Sequence, residues 1–213
     1  MPNGTGIAAG FPQILSEATT VKAALRRRIR AERARRRPSE RAAQGHALTG
    51  IALELPEIQG AHCVALYAAT PTEPQTGPLR LALRTHGIGV VLPLVRPEGL
   101  EWAWDTGAEL LPAQGRGGPE PAGPTLGPRG LLTADVVLVP ALAVDTLGTR
   151  LGQGGGYYDV ALPGLDLGIP IFAVVHEEEV FDAAVEPLPS QLHDVPVDGA
   201  LTPLRCLRLP GRA

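Results

Sequence analysis

The stretch with most capacity for chemistry runs from Arg150 to Asp159, Arg-Leu-Gly-Gln-Gly-Gly-Gly-Tyr-Tyr-Asp, shortly after an apolar run that ends at Val139. Every residue from Gly152 to Gly156 except Gln153 is glycine, so the backbone can fold around an anion with its N–H groups converging. A helix expected to start near Gly156 adds the positive end of its dipole. Arg150 at the mouth offers a guanidinium fork for phosphate, and Asp159 at the far end offers a hard oxygen ligand for magnesium. The segment reads as a phosphate cradle. It lacks the lysine and hydroxyl residue of a P-loop, and its glycine spacing departs from the dinucleotide fingerprint. As a bare glycine-rich loop it would serve a structural turn equally well.

Other chemistries lack their residues. His46, His62, His86, His176 and His193 show no H-x-x-x-H or H-E-x-x-H spacing for zinc. No G-x-S-x-G elbow marks a serine hydrolase. Cys63 and Cys206 stand alone without a C-x-x-C partner, as expected of small buried hydrophobes in a reducing cytoplasm. The first residues carry no basic, apolar secretory signal, and no uncharged apolar run approaches the roughly 18 residues of a membrane span. The expectation is a cytoplasmic protein with no membrane partner.

The 213 residues carry a net charge of −3, which conceals an asymmetry. Lysine occurs only at Lys22, and the segment from Lys22 to Arg41 is strongly basic, opposed only by Glu32 and Glu40, while the rest of the chain is acidic. Such a segment suits an anionic partner or a solvated helix face. Lys22 and Arg26 fall four residues apart and so share one helix face, beside a narrow apolar stripe of Val21, Leu25 and Ile29. Most of the run Arg27 to Arg37 reads as a solvated face.

Taken together, the sequence RLGQGGGYYD after VLVPALAVD, the Lys22/Arg26 pair, Glu73 with Thr76, Glu120-Pro121 and a late Asp within Leu188 to Asp198 closely resemble the 5-formyltetrahydrofolate cyclo-ligase family. These elements appear in order over nearly the whole chain. The resemblance implies ATP and Mg2+ as cofactors, a reduced folate as substrate, and a monomer that binds no nucleic acid. It implies that Lys22, Arg26, Arg150 and the loop Leu151, Gly152, Gln153, Gly154, Gly155, Gly156, Tyr157 and Tyr158 bind ATP, with Lys22 and Arg150 catalytic. It further implies that Ala68, Glu73, Tyr157 and Tyr158 bind folate, and that Asp159 and Asp194 hold magnesium; His193 receives no role. Gln153 and Val160 depart from the family's usual residues. That keeps open a relative that binds nucleotide or folate without turnover, beside a less favoured nucleic-acid binder that uses the basic helix.

The elements that must position these residues follow from periodicity. Residues 1–18 read as a flexible leader, and 19–213 as a single domain. A helix capped by Thr19 or Thr20 is broken by Pro38, and a second runs from Ser39 to Glu54. Buried strands are expected at His62 to Ala69, Ile88 to Val95, Ala134 to Val139 and Pro170 to Val175, with a helix at Gly77 to His86. Leu100 to Trp104 alternates like an exposed strand, with Trp102 and Trp104 on one face as core or sheet-face packing; Gln114 to Gly130 reads as a Gly/Pro loop and lid, and Val197 to Leu201 as a last edge strand. Buried strands separated by helical segments predict a three-layer α/β/α, mostly parallel Rossmann-like open sheet with N-terminal helices, and ligands at the carboxyl ends of its strands.

Overall fold

The computed structural model describes residues 11–113, 117–191 and 194–212. The chain opens with α1 (Phe11–Ala34) and α2 (Pro38–Leu53). Pro38 is the first residue of α2, where a missing N–H costs nothing, and it denies α1 a continuation. α1 starts at Phe11, well before the expected caps, because Pro12 in a first turn is compatible with helix and good helix formers follow it. The expected leader therefore divides: residues 11–18 are helical, and 1–10 lie outside the described residues.

After the single turn α3 (Pro56–Gln59), the strands and helices alternate as β1 (Cys63–Ala65), α4 (Gly77–Thr85), β2 (Gly89–Arg96), β3 (Gly99–Trp104), β4 (Thr125–Gly127) and β5 (Val136–Pro140). Then come β6 (Ala143–Asp145), β7 (Arg150–Leu151), α5 (Tyr157–Ala161), β8 (Ile171–Val174), β9 (Val180–Phe181), β10 (Gly199–Leu201) and β11 (Cys206–Arg208). Eight strands form one sheet in the order β11-β10-β8-β5-β1-β2-β3-β4. Its centre, β10-β8-β5-β1-β2, is parallel, and β11, β3 and β4 are antiparallel additions at the two edges.

The expectation of a mostly parallel open α/β sheet holds, with two local corrections. The strand at Val197 to Leu201 is not an edge, because the chain turns back through β11 and covers it. The Gly/Pro segment is not wholly a loop, since Thr125–Gly127 pairs with β3 and is followed by a 3-10 turn over Pro128–Thr133; residues 114–116 lie outside the described residues.

Both sheet faces are buried, which explains why the central strands read as unbroken apolar runs. Val64, Val90, Leu92, Val136, Leu138, Phe172 and Val174 meet Leu48, Ile58, Leu79 and Leu83 of α2, α3 and α4. The alternate residues Ala65, Val91, Val137, Val139, Ile171 and Ala173 meet Trp102, Leu131 and Leu162, with Tyr157 and Tyr158 packed at the margin. Trp102 is thus core and stands edge-on to Tyr158, 6.4 Å between ring centres. The expected packing of Trp102 holds, while its strand is more buried than an exposed strand would be.

A small second sheet, β7-β6-β9, lies beside the first, and Ile29 of α1 packs there with Leu142, Ala143, Leu151 and Leu188. β1 neighbours both β2 and β5: the chain builds the sheet outward from β1 in one direction and from β5 in the other. The gap between β1 and β5 is therefore the topological switch point, where the carboxyl ends of strands leave a crevice.

Candidate active site

A cleft of about 480 Å3 opens at that switch point. The segment after β1 supplies Tyr67, Ala68, Thr70 and Glu73, the end of β5 supplies Pro140, α1 supplies Arg26, Arg30 and Arg33, and the Arg150 to Asp159 segment closes the remaining side. The cleft is of the size that encloses one drug-sized molecule. Four guanidinium groups, of Arg26, Arg30, Arg33 and Arg150, face it against two carboxylates, of Glu73 and Asp159.

The glycine loop has a shape that side chains resist. Gly154 at φ 98° and Gly156 at φ 72° occupy the left-handed region, where a Cβ brings strain. α1 fastens the loop from outside: Arg26 Nε donates to the Gly152 carbonyl at 2.9 Å, and Arg30 Nη2 donates to the Gln153 carbonyl at 2.6 Å and to Gln153 Oε1 at 3.1 Å. Gln153 Nε2 then donates across the cleft to Glu73 Oε1 at 3.1 Å. Glu73, 6% exposed, also accepts the Thr70 N–H at 2.9 Å, so its carboxylate is held at the floor of the site. The expected helix after Gly156 is only Tyr157–Ala161, so the loop amides and the arginines supply the positive field.

Arg150 is buried. Its Nη2 donates to Asp159 Oδ1 at 2.5 Å and its guanidinium lies 5.8 Å from the ring centre of Tyr158. Arg150 Nε and the Tyr158 hydroxyl are buried and have no hydrogen-bond partner among the described residues. Burial, then the Glu73 charge, pushes the Tyr158 phenol above its ordinary range, so it stays a neutral donor. Burial first, and Arg30 second, pull the Arg26 guanidinium below its ordinary value. A bound anion would relieve that crowding of cations.

The structure divides the expected site residues. Arg26, Arg150, Gly152 to Gly156, Tyr157, Tyr158, Asp159, Ala68 and Glu73 converge on the cleft. Leu151 is buried in the small core under α1 and presents no side chain to it. Lys22 and Asp194 meet each other at 2.7 Å, both largely buried and outside the cleft lining. Gln191 Oε1 accepts a further, long bond from Lys22 at 3.5 Å. Asp145 serves a turn, Oδ1 accepting the N–H groups of Leu147 and Thr149 and Oδ2 that of Leu188. Glu120 is buried and accepts from the Val95 N–H and Arg96, anchoring the Gly/Pro segment. His193 lies outside the described residues.

Sequence reasoning missed Arg30 and Arg33, and it misplaced the face of α1. Val21 is 53% exposed, whereas Lys22, Arg33 and Arg36 are buried. The inward face is therefore Lys22, Arg26, Ile29, Arg33 and Arg36, at helical spacing but mixed in chemistry. Arg33 reaches Glu179 through two bonds, at 2.7 and 2.6 Å, and the Ala141 carbonyl at 2.7 Å, while Arg36 pairs with Glu178. Arg33 and Arg36 thus dock the helix, while Arg27, Arg28, Arg30, Arg35 and Arg37 are exposed, as expected for most of the run. The signal was present in the acids Glu177, Glu178 and Glu179, a complement to the basic helix in the opposite half of the chain.

For magnesium the donor set is sparse. Among the described residues no three His, Cys, Asp or Glu side chains gather as a metal cage. Asp159 is the carboxylate beside the glycine loop, which suits an ion that keeps its waters and binds mainly through phosphate oxygens.

Fold and site together define an α/β protein with a crevice at its switch point lined by arginines and a glycine loop. The family model of the 5-formyltetrahydrofolate cyclo-ligases matches residues 18–203, and the chain belongs to that family. It is 36% identical over 148 residues to a 5-formyltetrahydrofolate cyclo-ligase of Mycolicibacterium smegmatis, covering 67% of this chain and 74% of the relative. It is 28% identical over 183 residues to the Escherichia coli protein of the same name, covering 82% and 96%. The solved structure of Aquifex aeolicus 5,10-methenyltetrahydrofolate synthetase superposes with a TM-score of 0.74 at 28% identity, covering 91% of this chain and 95% of that one. No helix among the described residues is long and apolar enough to cross a membrane.

Proposed function

We propose that the chain converts 5-formyltetrahydrofolate and ATP into 5,10-methenyltetrahydrofolate, ADP and phosphate. The observation that carries the reading is the facing pair at the switch point: a glycine loop ringed by Arg26, Arg30 and Arg150 on one wall, and the buried Glu73 on the other. One wall suits a polyphosphate and the other the N–H groups of a pterin.

The formyl oxygen attacks the γ-phosphorus as the bond to ADP breaks; N10 then adds to the activated formyl carbon, the C–O bond breaks, and the departing phosphate takes the N10 proton. An amide-type oxygen is a weak nucleophile, so the protein acts by positioning and charge neutralisation and needs no covalent residue. Arg150 and Arg26 neutralise charge on the transferred phosphoryl group, and the amides of Gly152 to Gly156 orient it. Glu73 accepts from the pterin, and Tyr157 and Tyr158 shape the junction between the two substrates. Asp159 would hold a magnesium ion, which would supply charge neutralisation to the phosphates. Lys22, one helical turn before Arg26, and Asp194 would exchange their mutual pairing for phosphate and metal respectively. The reading takes the enzyme to be a cytoplasmic monomer, in keeping with two free cysteines. Binding of nucleic acid is disfavoured by the spending of Arg33 and Arg36 on internal ion pairs.

Purified protein incubated with 5-formyltetrahydrofolate, ATP and magnesium is expected to form the methenyl product, read by its near-ultraviolet absorbance. Absence of an ATP-dependent signal would falsify the reading.

A further inference from the structure

One side chain ties the two walls of the cleft together. Gln153 stands exposed at the rim, on the glycine loop, and its carboxamide reaches Glu73, which is buried at the floor. At one end its Oε1 accepts from Arg30 Nε at 3.2 Å and Nη2 at 3.1 Å; at the other its Nε2 donates to Glu73 Oε1 at 3.1 Å. The second oxygen of Glu73, Oε2, accepts the Thr70 N–H. Each wall is therefore engaged by Gln153 at a group it would offer to a ligand.

Under the reading above, the γ-phosphate and the formyl oxygen must meet between these walls. The carboxamide of Gln153 spans that gap. Its two anchors answer to different substrates: a polyphosphate competes with Oε1 for Arg30, and a pterin N–H takes the place of Nε2 on Glu73. A carboxamide joins a cation to a carboxylate without adding charge of its own, so the link yields at the modest net cost of a hydrogen bond exchanged. We propose that Gln153 is a crossbar coupling the two substrates: whichever binds first releases it, and the second enters a cleft already open. The coupling is reciprocal, because both affinities depend on loss of the same contact.

The proposal deepens the folate assignment and rests on it, and its test separates the two. The wild type, Gln153→Ala and Gln153→Met are titrated by calorimetry with 5-formyltetrahydrofolate and with the β,γ-imido analogue of ATP plus magnesium, each alone and with the other at saturation. Neither substitution touches the backbone carbonyls through which Arg26 and Arg30 fasten the loop. In the wild type each ligand is expected to tighten the other about fivefold, the size of one net hydrogen bond. Both variants should bind each ligand alone about fivefold more tightly than the wild type does, bind the second with wild-type affinity, and so lose the coupling. Methionine keeps the length of the side chain without either bond; wild-type coupling in Gln153→Met would assign the effect to bulk and overturn the proposal. Weaker binding of single ligands to the variants overturns it too, since that marks a residue that only orders the loop or contacts a ligand. Equal coupling in the wild type and Gln153→Ala, with methenyl product still formed, removes the crossbar and leaves the enzymatic reading intact. Coupling that Gln153→Ala abolishes, in a protein that forms no product, would sink the enzymatic reading and spare this one.

Discussion

α4 and α1 lie against the same body but bury faces of opposite chemistry. α4 buries Leu79 and Leu83 beside Leu92 and Val90, a face stabilised by loss of apolar area from water at about 1.5–3 kcal/mol per side chain. α1 buries Lys22, Arg33 and Arg36 around Ile29. Each buried charge costs several kcal/mol unless it is paired, and the three meet Asp194, Glu179 and Glu178. Apolar contact is tolerant of small slides and rotations, whereas a bidentate pair fixes a helix in rotation and height. The difference fits what each helix carries. α4 covers sheet; α1 must hold Arg26 and Arg30 on the carbonyls of Gly152 and Gln153.

The largest expected effect falls at the cation that this arrangement leaves beside the reaction. Arg150→Ala should cut turnover about 10²–10³-fold, the usual loss for a preorganised charge stabiliser, with the circular dichroism of the folded protein retained; ordinary turnover would remove Arg150 from the chemistry. The comparison itself is tested by Arg33→Ala. Leaving Glu179 buried without its partner should cost about 3–5 kcal/mol in urea unfolding, and replacing both with methionine should recover most of that stability while KM for ATP stays raised, because the register of α1 is lost. A double variant with native KM would show that apolar contact alone places α1.

Leu83→Ala should cost about 2–5 kcal/mol through the cavity left behind. Unlike Arg33→Ala it should leave KM for ATP unchanged in the folded protein, and a raised KM would erase the distinction between the two helices. The last effect is one of pH, and is absent at neutral pH. His176 is buried near Arg36 and Arg33, and burial, then those charges, lower its ring from 6.5 to about 3. Between those values the unfolded chain binds a proton that the folded chain refuses, so this group's contribution to stability is lost as pH falls from 6.5 toward 3. Melting temperatures of His176→Leu should therefore decline less steeply over that window than those of the wild type; parallel curves would show that His176 is not the group responsible.

How much was legible follows the same division. The central strands could be read because both faces of a parallel strand are buried, and unbroken runs such as Val136 to Val139 leave little alternative. The glycine loop could be read because left-handed positions at Gly154 and Gly156 demand glycine. Periodicity failed on α1, where hydropathy counts Val21 as inward and Arg33 as outward, and the partners that reverse this lie about 150 residues further along the chain. Trp102 could be read as packed, but what packs on it could not: α5 and the 3-10 turn after β4, both distant in sequence from its strand, close over it.

By itself the sequence determined the class of sheet, the loop able to wrap an anion, and, through the resemblance of its ordered motifs, the family. These are local or patterned properties, fixed by which backbone angles and which alternations of side chains the residues permit. Only the tertiary structure decided that the loop faces Glu73 across a crevice between β1 and β5, that Lys22 lies against Asp194 and not in that crevice, and that Arg33 holds the helix bearing the other cations. Each of these depends on charges brought together from distant parts of the chain in a low-dielectric interior, where a partner's position outweighs a residue's own preference for water.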